Sequence, residues 1–73
     1  MIGDKYRVKS DCQISRFRLK QVDILTEIGA YNFETEQYED GGEYNDIRND
    51  NYDYICDVGS QFSQENLEKV PIE

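Results

Sequence analysis

Polar and apolar residues alternate over short runs, and turn-forming residues interrupt each run within a few positions. Near the N-terminus Tyr6 and Val8 share one side of an extended chain, and further along Phe17 and Leu19 do the same. A period of two is typical of a half-buried β-strand. No segment keeps the 3.6-residue period of an amphipathic helix. The pattern therefore predicts an all-β fold.

The parity of the alternation changes after Leu19. Val22, Ile24 and Ile28 share a face and have even residue numbers, whereas Phe17 and Leu19 have odd residue numbers. A one-residue shift of this kind turns every following side chain to the other face of a strand. We therefore expect a turn, bend or bulge near residues 20–21, with this second apolar set facing the core.

Further along, Tyr31, Phe33 and Thr35 share one side of an extended segment. The stretch 39–42 (Glu-Asp-Gly-Gly) predicts a hairpin-type turn, because glycine adopts the positive φ that tight turns need. A second turn is expected at residues 49–51. Short strands separated by such turns favour a small barrel or a strongly bent antiparallel sheet.

The C-terminal region adds one short helical element. Residues 52–58 are rich in β-formers and predict a strand. Ser63 is an expected N-cap of a short 3₁₀ or helical turn, and residues 70–72 are expected to form an extended edge piece because proline tolerates only such positions. The 73 residues predict one acidic β domain, 1–73, since a chain of this length buries only about 60% of its unfolded surface.

Composition excludes most catalytic chemistry. The chain has no histidine, so the usual general base and imidazole metal ligands are absent. Cys12 and Cys56 are too few for a disulfide scaffold and are expected to be small buried or half-buried thiols. No P-loop or dinucleotide-binding motif occurs. We expect a non-enzymatic protein with no cofactor and no metal, and a cytoplasmic location, since no apolar run is long enough for a membrane helix.

Charge is distributed unevenly along the chain. Residues 1–20 hold six bases and two acids, whereas residues 21–73 hold two bases and fourteen acids, which gives the net charge of −8. Between residues 34 and 57 Arg48 is the only base. Such concentrated charge destabilises a fold through self-repulsion and exceeds what solubility requires.

Tyrosines accompany the acidic stretch. By alternation Tyr31 and Tyr54 are expected to face inward, whereas Tyr38, Tyr44 and Tyr52 are expected to be exposed. Acidic and tyrosine side chains together suit an interface with a basic partner. Glu34 and Glu36, placed two apart on a strand, would lie on one face about 6–7 Å apart and resemble a row of phosphates. The predicted partner-binding residues are Glu34, Glu36, Tyr38, Glu39, Asp40, Glu43, Tyr44, Asp46, Asp50 and Asp53.

Both ends of the chain resemble a known family. The segment 2–8 (Ile-Gly-Asp-Lys-Tyr-Arg-Val) resembles the first strand of the SH3-like small β-barrels of bacterial and phage proteins. Segment 54–58 resembles their penultimate strand, and segment 62–70 their 3₁₀ turn and last strand. In size, charge and lack of catalytic residues the chain also resembles small acidic phage proteins that inhibit host nucleic-acid-binding proteins. That resemblance implies a DNA mimic whose target is a nucleoid protein of the HU type, a restriction enzyme, RNA polymerase or a repair enzyme.

Other functions stay open at this point. The chain can instead be an SH3-like interaction module of a larger assembly, with an aromatic groove and acids that serve solubility. The basic segment 1–20 can bind nucleic acid directly, although cross-strand pairing with acids is the preferred expectation. The same charge asymmetry permits a homodimer. Residues 46–51 carry oxygen ligands, but they do not follow the calcium-loop pattern. We therefore expect a basic DNA-binding host protein as partner, with no direct nucleic acid and no membrane, in the host cytoplasm if the source is viral.

Overall fold

The computed structural model describes residues 1–71 and is mostly β-structure. A six-residue helix, α1, precedes the last strand, and a 3₁₀ turn at Gly42–Tyr44 precedes the sixth. The elements are β1 (Lys5–Val8), β2 (Cys12–Ile14), β3 (Phe17–Leu19), β4 (Ile24–Asn32), β5 (Gln37–Glu39), β6 (Asp46–Arg48), β7 (Tyr54–Asp57), α1 (Gln61–Asn66) and β8 (Leu67–Lys69).

All of the strand pairs are antiparallel. The main sheet has the order β7-β6-β4-β1-β8, and β5 pairs with the C-terminal end of β4. Strands β2 and β3 form a separate hairpin. The main sheet curls into half of a small barrel, so the expected all-β fold with one short helix near the C-terminus is confirmed.

The core lies on the concave side of this sheet. Strands β1, β4, β6, β7 and β8 each contribute one or two buried apolar side chains, the β2–β3 hairpin contributes Leu19, and β5 contributes none. Tyr6, Val8, Phe17 and Leu19 all face inward as the alternation predicts. Within residues 1–71 the buried apolar residues are Val8, Leu19, Leu25, Ile47, Ile55, Cys56 and Leu67.

The predicted parity of β4 is wrong. Val22 is 83% exposed and Ile24 is 40% exposed, whereas Leu25 and Glu27 are buried. A turn does occur after residue 20, but β4 begins at Ile24 with its odd positions inward. Sequence alternation failed here because a carboxylate, Glu27, occupies a core position that the pattern assigns to an apolar side chain.

The hairpin turn between β4 and β5 also differs from its expected position. It spans residues 33–36, and Asn32 forms it by accepting hydrogen bonds from the backbone of Glu34 at 2.9 Å and Thr35 at 3.4 Å. Phe33 and Thr35 therefore lie in a turn and not on a strand face shared with Tyr31. Gly42 has a positive φ of 62°, but it begins the 3₁₀ turn.

Gly29 allows β5 to approach β4 closely. It has a φ of 109° and lies where the β4–β6 register shifts. A Cβ at this position would lie 2.8 Å from the Glu39 carbonyl oxygen, a contact that forces the backbone to move. Only glycine combines this φ with this approach, so Gly29 positions the acidic β5 strand on the edge of the sheet.

The helix N-cap is Ser60, three residues before the expected Ser63. Its hydroxyl accepts a hydrogen bond from the Ser63 backbone N–H at 3.1 Å, and Ser63 is itself buried within α1. The expected turn at residues 49–51 is confirmed, because the Tyr52 N–H donates to the Asn49 carbonyl. The expected edge piece at 70–72 ends outside the described residues.

Candidate functional site

The β4–β5 hairpin carries the first part of the predicted acidic surface. Glu34 and Glu36 lie in its turn, so the expected spacing along one strand face is wrong. Both side chains are exposed, and neither has a hydrogen-bonded or ion-pair partner within residues 1–71. Glu39, on β5, accepts hydrogen bonds from Asn32 Nδ2 at 3.0 Å and Thr35 Oγ1 at 3.3 Å. The hairpin thus presents one oriented carboxylate beside two free ones.

Three aromatic rings form a cluster on this hairpin. Tyr31 and Tyr38 are cross-strand partners whose ring centroids are 5.1 Å apart, and Phe33 meets Tyr31 edge-on at 5.0 Å. Phe33 is 85% exposed, and Tyr31 and Tyr38 are each 40% exposed. The expectation that Tyr31 faces inward is therefore wrong, as it is for Tyr54, which is 47% exposed. Phe33 was not among the predicted partner-binding residues, although the turn signal of Asn32 directly before it indicates an exposed position.

Arg48, the last residue of β6, contacts the aromatic cluster. Its guanidinium lies 5.5 Å from the centre of the Tyr38 ring and donates to the Tyr38 hydroxyl at 2.7 Å. It also pairs with Asp46 at 3.2 Å and donates to the Tyr52 carbonyl at 2.6 Å. Asp46 is thus largely neutralised, and it contributes less free charge than its place in the sequence indicates.

The buried carboxylate of Glu27 holds residues 40–45, the segment between β5 and β6, in place. Glu27 is 1% exposed, and its Oε2 accepts a hydrogen bond from the Asn45 side-chain amide at 2.6 Å. The same amide donates to Asp40 Oδ1 at 3.1 Å, and Asn45 Oδ1 accepts from the Gly41 N–H at 2.6 Å. The Gly42 N–H and the Asn45 amide hold the pKa of Asp40 below its ordinary value. Asp40 is therefore an ionised, oriented member of the surface.

The other oxygen of Glu27 anchors the N-terminal segment. Glu27 Oε1 accepts from the Met1 ammonium and from the Tyr6 hydroxyl, both at 3.1 Å. The ammonium also pairs with Asp4 at 2.7 Å, and Lys69 pairs with the same Asp4 oxygen at 3.0 Å. Hydrogen bonding to Asp4 raises the pKa of the ammonium, and the ammonium and Lys69 lower the pKa of Asp4. Burial, followed by the Glu27 contact, raises the pKa of Tyr6 to about 12.

These shifts predict a stability maximum between acid and alkaline pH. Asp4 stabilises the fold above its ordinary pKa of 3.8, and that contribution is lost as the pH falls through its lowered pKa. The ammonium stabilises the fold below 8.0 and loses this effect as the pH rises through its raised pKa. Neutral Tyr6 adds a further loss between 10.0 and about 12. Urea unfolding midpoints measured against pH should form a plateau with falling limbs on both sides.

The Asp4→Asn variant is the control for the acid limb. It should be less stable than the parent chain at neutral pH, and the two midpoints should converge as the parent Asp4 becomes protonated. A difference between the two chains that stays constant down to pH 3 would contradict the role given to Asp4.

The remaining predicted residues lie on neighbouring parts of the surface. Glu43 and Tyr44 belong to the 3₁₀ turn and line a small cleft beside the end of β7. Asp50 lines a different cleft together with Arg48 and Tyr52. The exposed fractions of Tyr44 (68%) and Tyr52 (74%) confirm their expected exposure, as the 40% of Tyr38 does. Within residues 1–71 the predicted carboxylates without a hydrogen-bonded or ion-pair partner are Glu34, Glu36, Glu43, Asp50 and Asp53.

A groove of about 550 Å³ runs beside the hairpin. Tyr31 and Phe33 contribute to its lining, as do the acidic residues Glu34, Glu39 and Asp40. Its remaining lining residues are Ala30, Asn32 and Gly41. The groove is shallow and wide open to solvent, and it brings aromatic and acidic groups together on one surface.

The basic segment is only partly neutralised. Arg7 pairs with its cross-strand partner Glu68 at 2.6 Å, as expected for opposite charges on neighbouring strands. Arg16 and Arg18 lie on or beside β3, which pairs only with β2, and no carboxylate within residues 1–71 is in ion-pair range of either. The charges of Arg16 and Arg18 are therefore not neutralised by cross-strand ion pairs, because β2 and β3 pair with each other and not with a strand of the main sheet.

Both thiols are free, and their environments are unreactive. Cys56 is buried, and burial raises the pKa of its thiol to about 11. Burial also raises the pKa of the half-buried Cys12. Among residues 1–71 no group of three or more potential ligand side chains is arranged to hold a metal ion. The helical segments in this part of the chain do not include one long and apolar enough to cross a membrane.

Comparisons of the chain with protein-family models, with curated proteins and with solved structures give no match.

Proposed function

We propose that this chain is an acidic, non-enzymatic DNA mimic that occupies the DNA-binding surface of a host nucleic-acid-binding protein. The proposed target is a nucleoid protein of the HU type, a restriction enzyme, RNA polymerase or a repair enzyme, and the proposed location is the cytoplasm, that of the host if the source is viral. The chain itself binds no nucleic acid and no membrane in this proposal.

One observation carries the proposal: five carboxylates of the predicted set have no partner within residues 1–71. Glu34 and Glu36 lie in the turn of the β4–β5 hairpin, Glu43 lies in the 3₁₀ turn, and Asp50 and Asp53 lie between β6 and β7. The contacts of Asp40 and Glu39 add two oriented negative charges to this set. DNA-binding proteins gain much of their affinity from basic side chains that meet regularly placed negative charges. A folded acidic surface can compete for those side chains, and opposite charge accelerates the encounter.

The experiment that tests the proposal is an affinity capture with two competitors. The immobilised full chain is exposed to nuclease-treated bacterial lysate, washed at low and high salt, and eluted with duplex DNA. We expect the retained proteins to be nucleic-acid-binding proteins that duplex DNA and salt both release. A polyglutamate resin serves as control, because it captures basic proteins through charge without a fold.

Two outcomes would exclude the mimic. The first is a retained partner that binds no nucleic acid. The second is a partner that stays bound in the presence of both duplex DNA and high salt. A partner retained equally by polyglutamate would show that charge alone, and not the folded surface, accounts for capture.

The exposed aromatic cluster favours one alternative function. Tyr31, Phe33 and Tyr38 expose apolar surface that a plain solvated face does not need. An SH3-like interaction module of a larger assembly would use such rings, and its binding would change little with salt. Homodimerisation, in which the basic segment 1–20 of one copy meets the acidic segment 21–73 of another, also stays a prediction.

A further inference from the structure

We propose that the groove beside the β4–β5 hairpin receives an arginine side chain of the partner. The ring of Phe33 would contact the guanidinium, and the carboxylates of Glu34 and Glu39 would accept its hydrogen bonds. This inference rests on the proposed function, because it assumes a basic partner, and it names the side chain that such a partner inserts.

The ring of Phe33 is held in place but is exposed to solvent. This ring is 85% exposed although it is held edge-on against Tyr31, with 5.0 Å between the ring centres. It therefore contributes little to the stability of the free chain. A large aromatic side chain that is held in place and left unburied is a common anchor of protein interfaces.

The carboxylates at the groove are a second feature. Glu39 is oriented by the Asn32 amide at 3.0 Å and the Thr35 hydroxyl at 3.3 Å. These two neutral donors leave the negative charge of Glu39 uncompensated. Glu34 lies in the turn without a partner among residues 1–71. A cation that enters the groove therefore meets negative charge that the fold has already positioned, so little ordering accompanies binding.

The shape of the groove is a third feature. Gly41 packs against Ala30 so closely that a Cβ on Gly41 would lie 2.6 Å from the Cβ of Ala30. Both residues line the groove, and neither has a side chain long enough to fill it. The space of about 550 Å³ stays open to a side chain from another molecule.

The fold already contains one arrangement of this kind. Arg48, on β6, lies over the Tyr38 ring of β5 at 5.5 Å and pairs with Asp46, so an arginine, a ring and a carboxylate meet beside the β4–β5 hairpin. A guanidinium is planar and weakly hydrated, and it can stack on a ring while it donates to a carboxylate. An ammonium is a compact and strongly hydrated point charge. The groove should therefore prefer arginine to lysine.

The test uses the full chain and two blocked peptides that differ only in carrying three arginines or three lysines. Binding is measured by titration at low salt, with chemical-shift changes of the Phe33 ring as a local readout. We expect the arginine peptide to bind more tightly and to shift the Phe33 resonances. Phe33→Ala should weaken arginine-peptide binding about three- to fivefold, and Phe33→Tyr should retain it.

Val22→Ala is the matched control, because Val22 is 83% exposed and does not line the groove. Equal affinity for both peptides, or Phe33→Ala binding like Val22→Ala, would overturn the inference. The peptides involve no DNA-binding protein, so their result is independent of DNA competition in the capture experiment. If the chain is not a DNA mimic, the capture experiment will show this as a partner that duplex DNA does not release.

Discussion

Replacing Glu27 with alanine is expected to remove a large share of the free energy of unfolding. Glu27 is 1% exposed and accepts hydrogen bonds from Asn45, Tyr6 and the Met1 ammonium. Removal leaves the buried Asn45 amide short of an acceptor and the Tyr6 hydroxyl without one. We expect a loss of about 3–5 kcal/mol from these unsatisfied donors and the cavity. A domain of 73 residues has only about 4–11 kcal/mol in total.

Glu27→Gln provides a variant that should still fold. It keeps the volume and one acceptor, but it places an amide donor against another donor, so a smaller loss of about 1–3 kcal/mol is expected. Glu34→Gln is the matched control: it makes the same chemical change in the exposed turn and should alter stability by less than about 0.5 kcal/mol. Urea denaturation gives the three midpoints. Equal midpoints for Glu27→Gln and Glu34→Gln would contradict the role of the buried carboxylate.

Glu27 also determines where part of the acidic surface lies. Glu27 holds the Asn45 side chain, and Asn45 in turn holds Asp40 and the Gly41 backbone. A buried and satisfied polar network specifies one local conformation. The network therefore links the N-terminal segment, through Glu27 and Asn45, to Asp40 and the Gly41 backbone, and it fixes the orientation of both.

The main features of the fold could be predicted from sequence because local patterns determine them. The alternation at Tyr6 and Val8, and at Phe17 and Leu19, gave the correct inward faces, and turn residues marked most strand ends. The register of β4 could not be predicted. Its inward set includes Glu27, and a carboxylate is acceptable there because of partners 18 or more residues away: Asn45, Tyr6 and the Met1 ammonium. Long-range satisfaction of this kind leaves no trace in local periodicity.

The candidate surface was predicted in composition but not in geometry. The exposure of Tyr38, Tyr44 and Tyr52 was predicted correctly, whereas Tyr31 and Tyr54 are exposed against expectation. The turn at 33–36 was missed, because the glycines at 41–42 gave a stronger turn signal than Asn32 did. That error hid Phe33, since a residue assigned to a strand face is expected to pack on a neighbour. It also placed Glu34 and Glu36 on a strand.

Neutralising the unpaired carboxylates is expected to have the largest effect on partner binding. In the variant Glu34→Gln/Glu36→Gln/Glu43→Gln/Asp50→Asn, four charges are removed that make no hydrogen bond or ion pair within residues 1–71. Its folding should be unimpaired, because less self-repulsion remains. At about 0.5–1 kcal/mol per exposed contact, affinity for the captured partner should fall between roughly 30-fold and 1,000-fold.

Two double variants of equal net charge separate position from total charge. Glu34→Gln/Glu36→Gln removes charge from the hairpin, and Asp11→Asn/Glu65→Gln removes it from exposed positions outside the predicted set. A mimic requires that the first weakens binding by roughly five- to 30-fold and makes the dependence on salt less steep, while the second changes both quantities little. If the two double variants weaken binding equally, long-range attraction between net charges is sufficient, and the hairpin has no specific role in recognition.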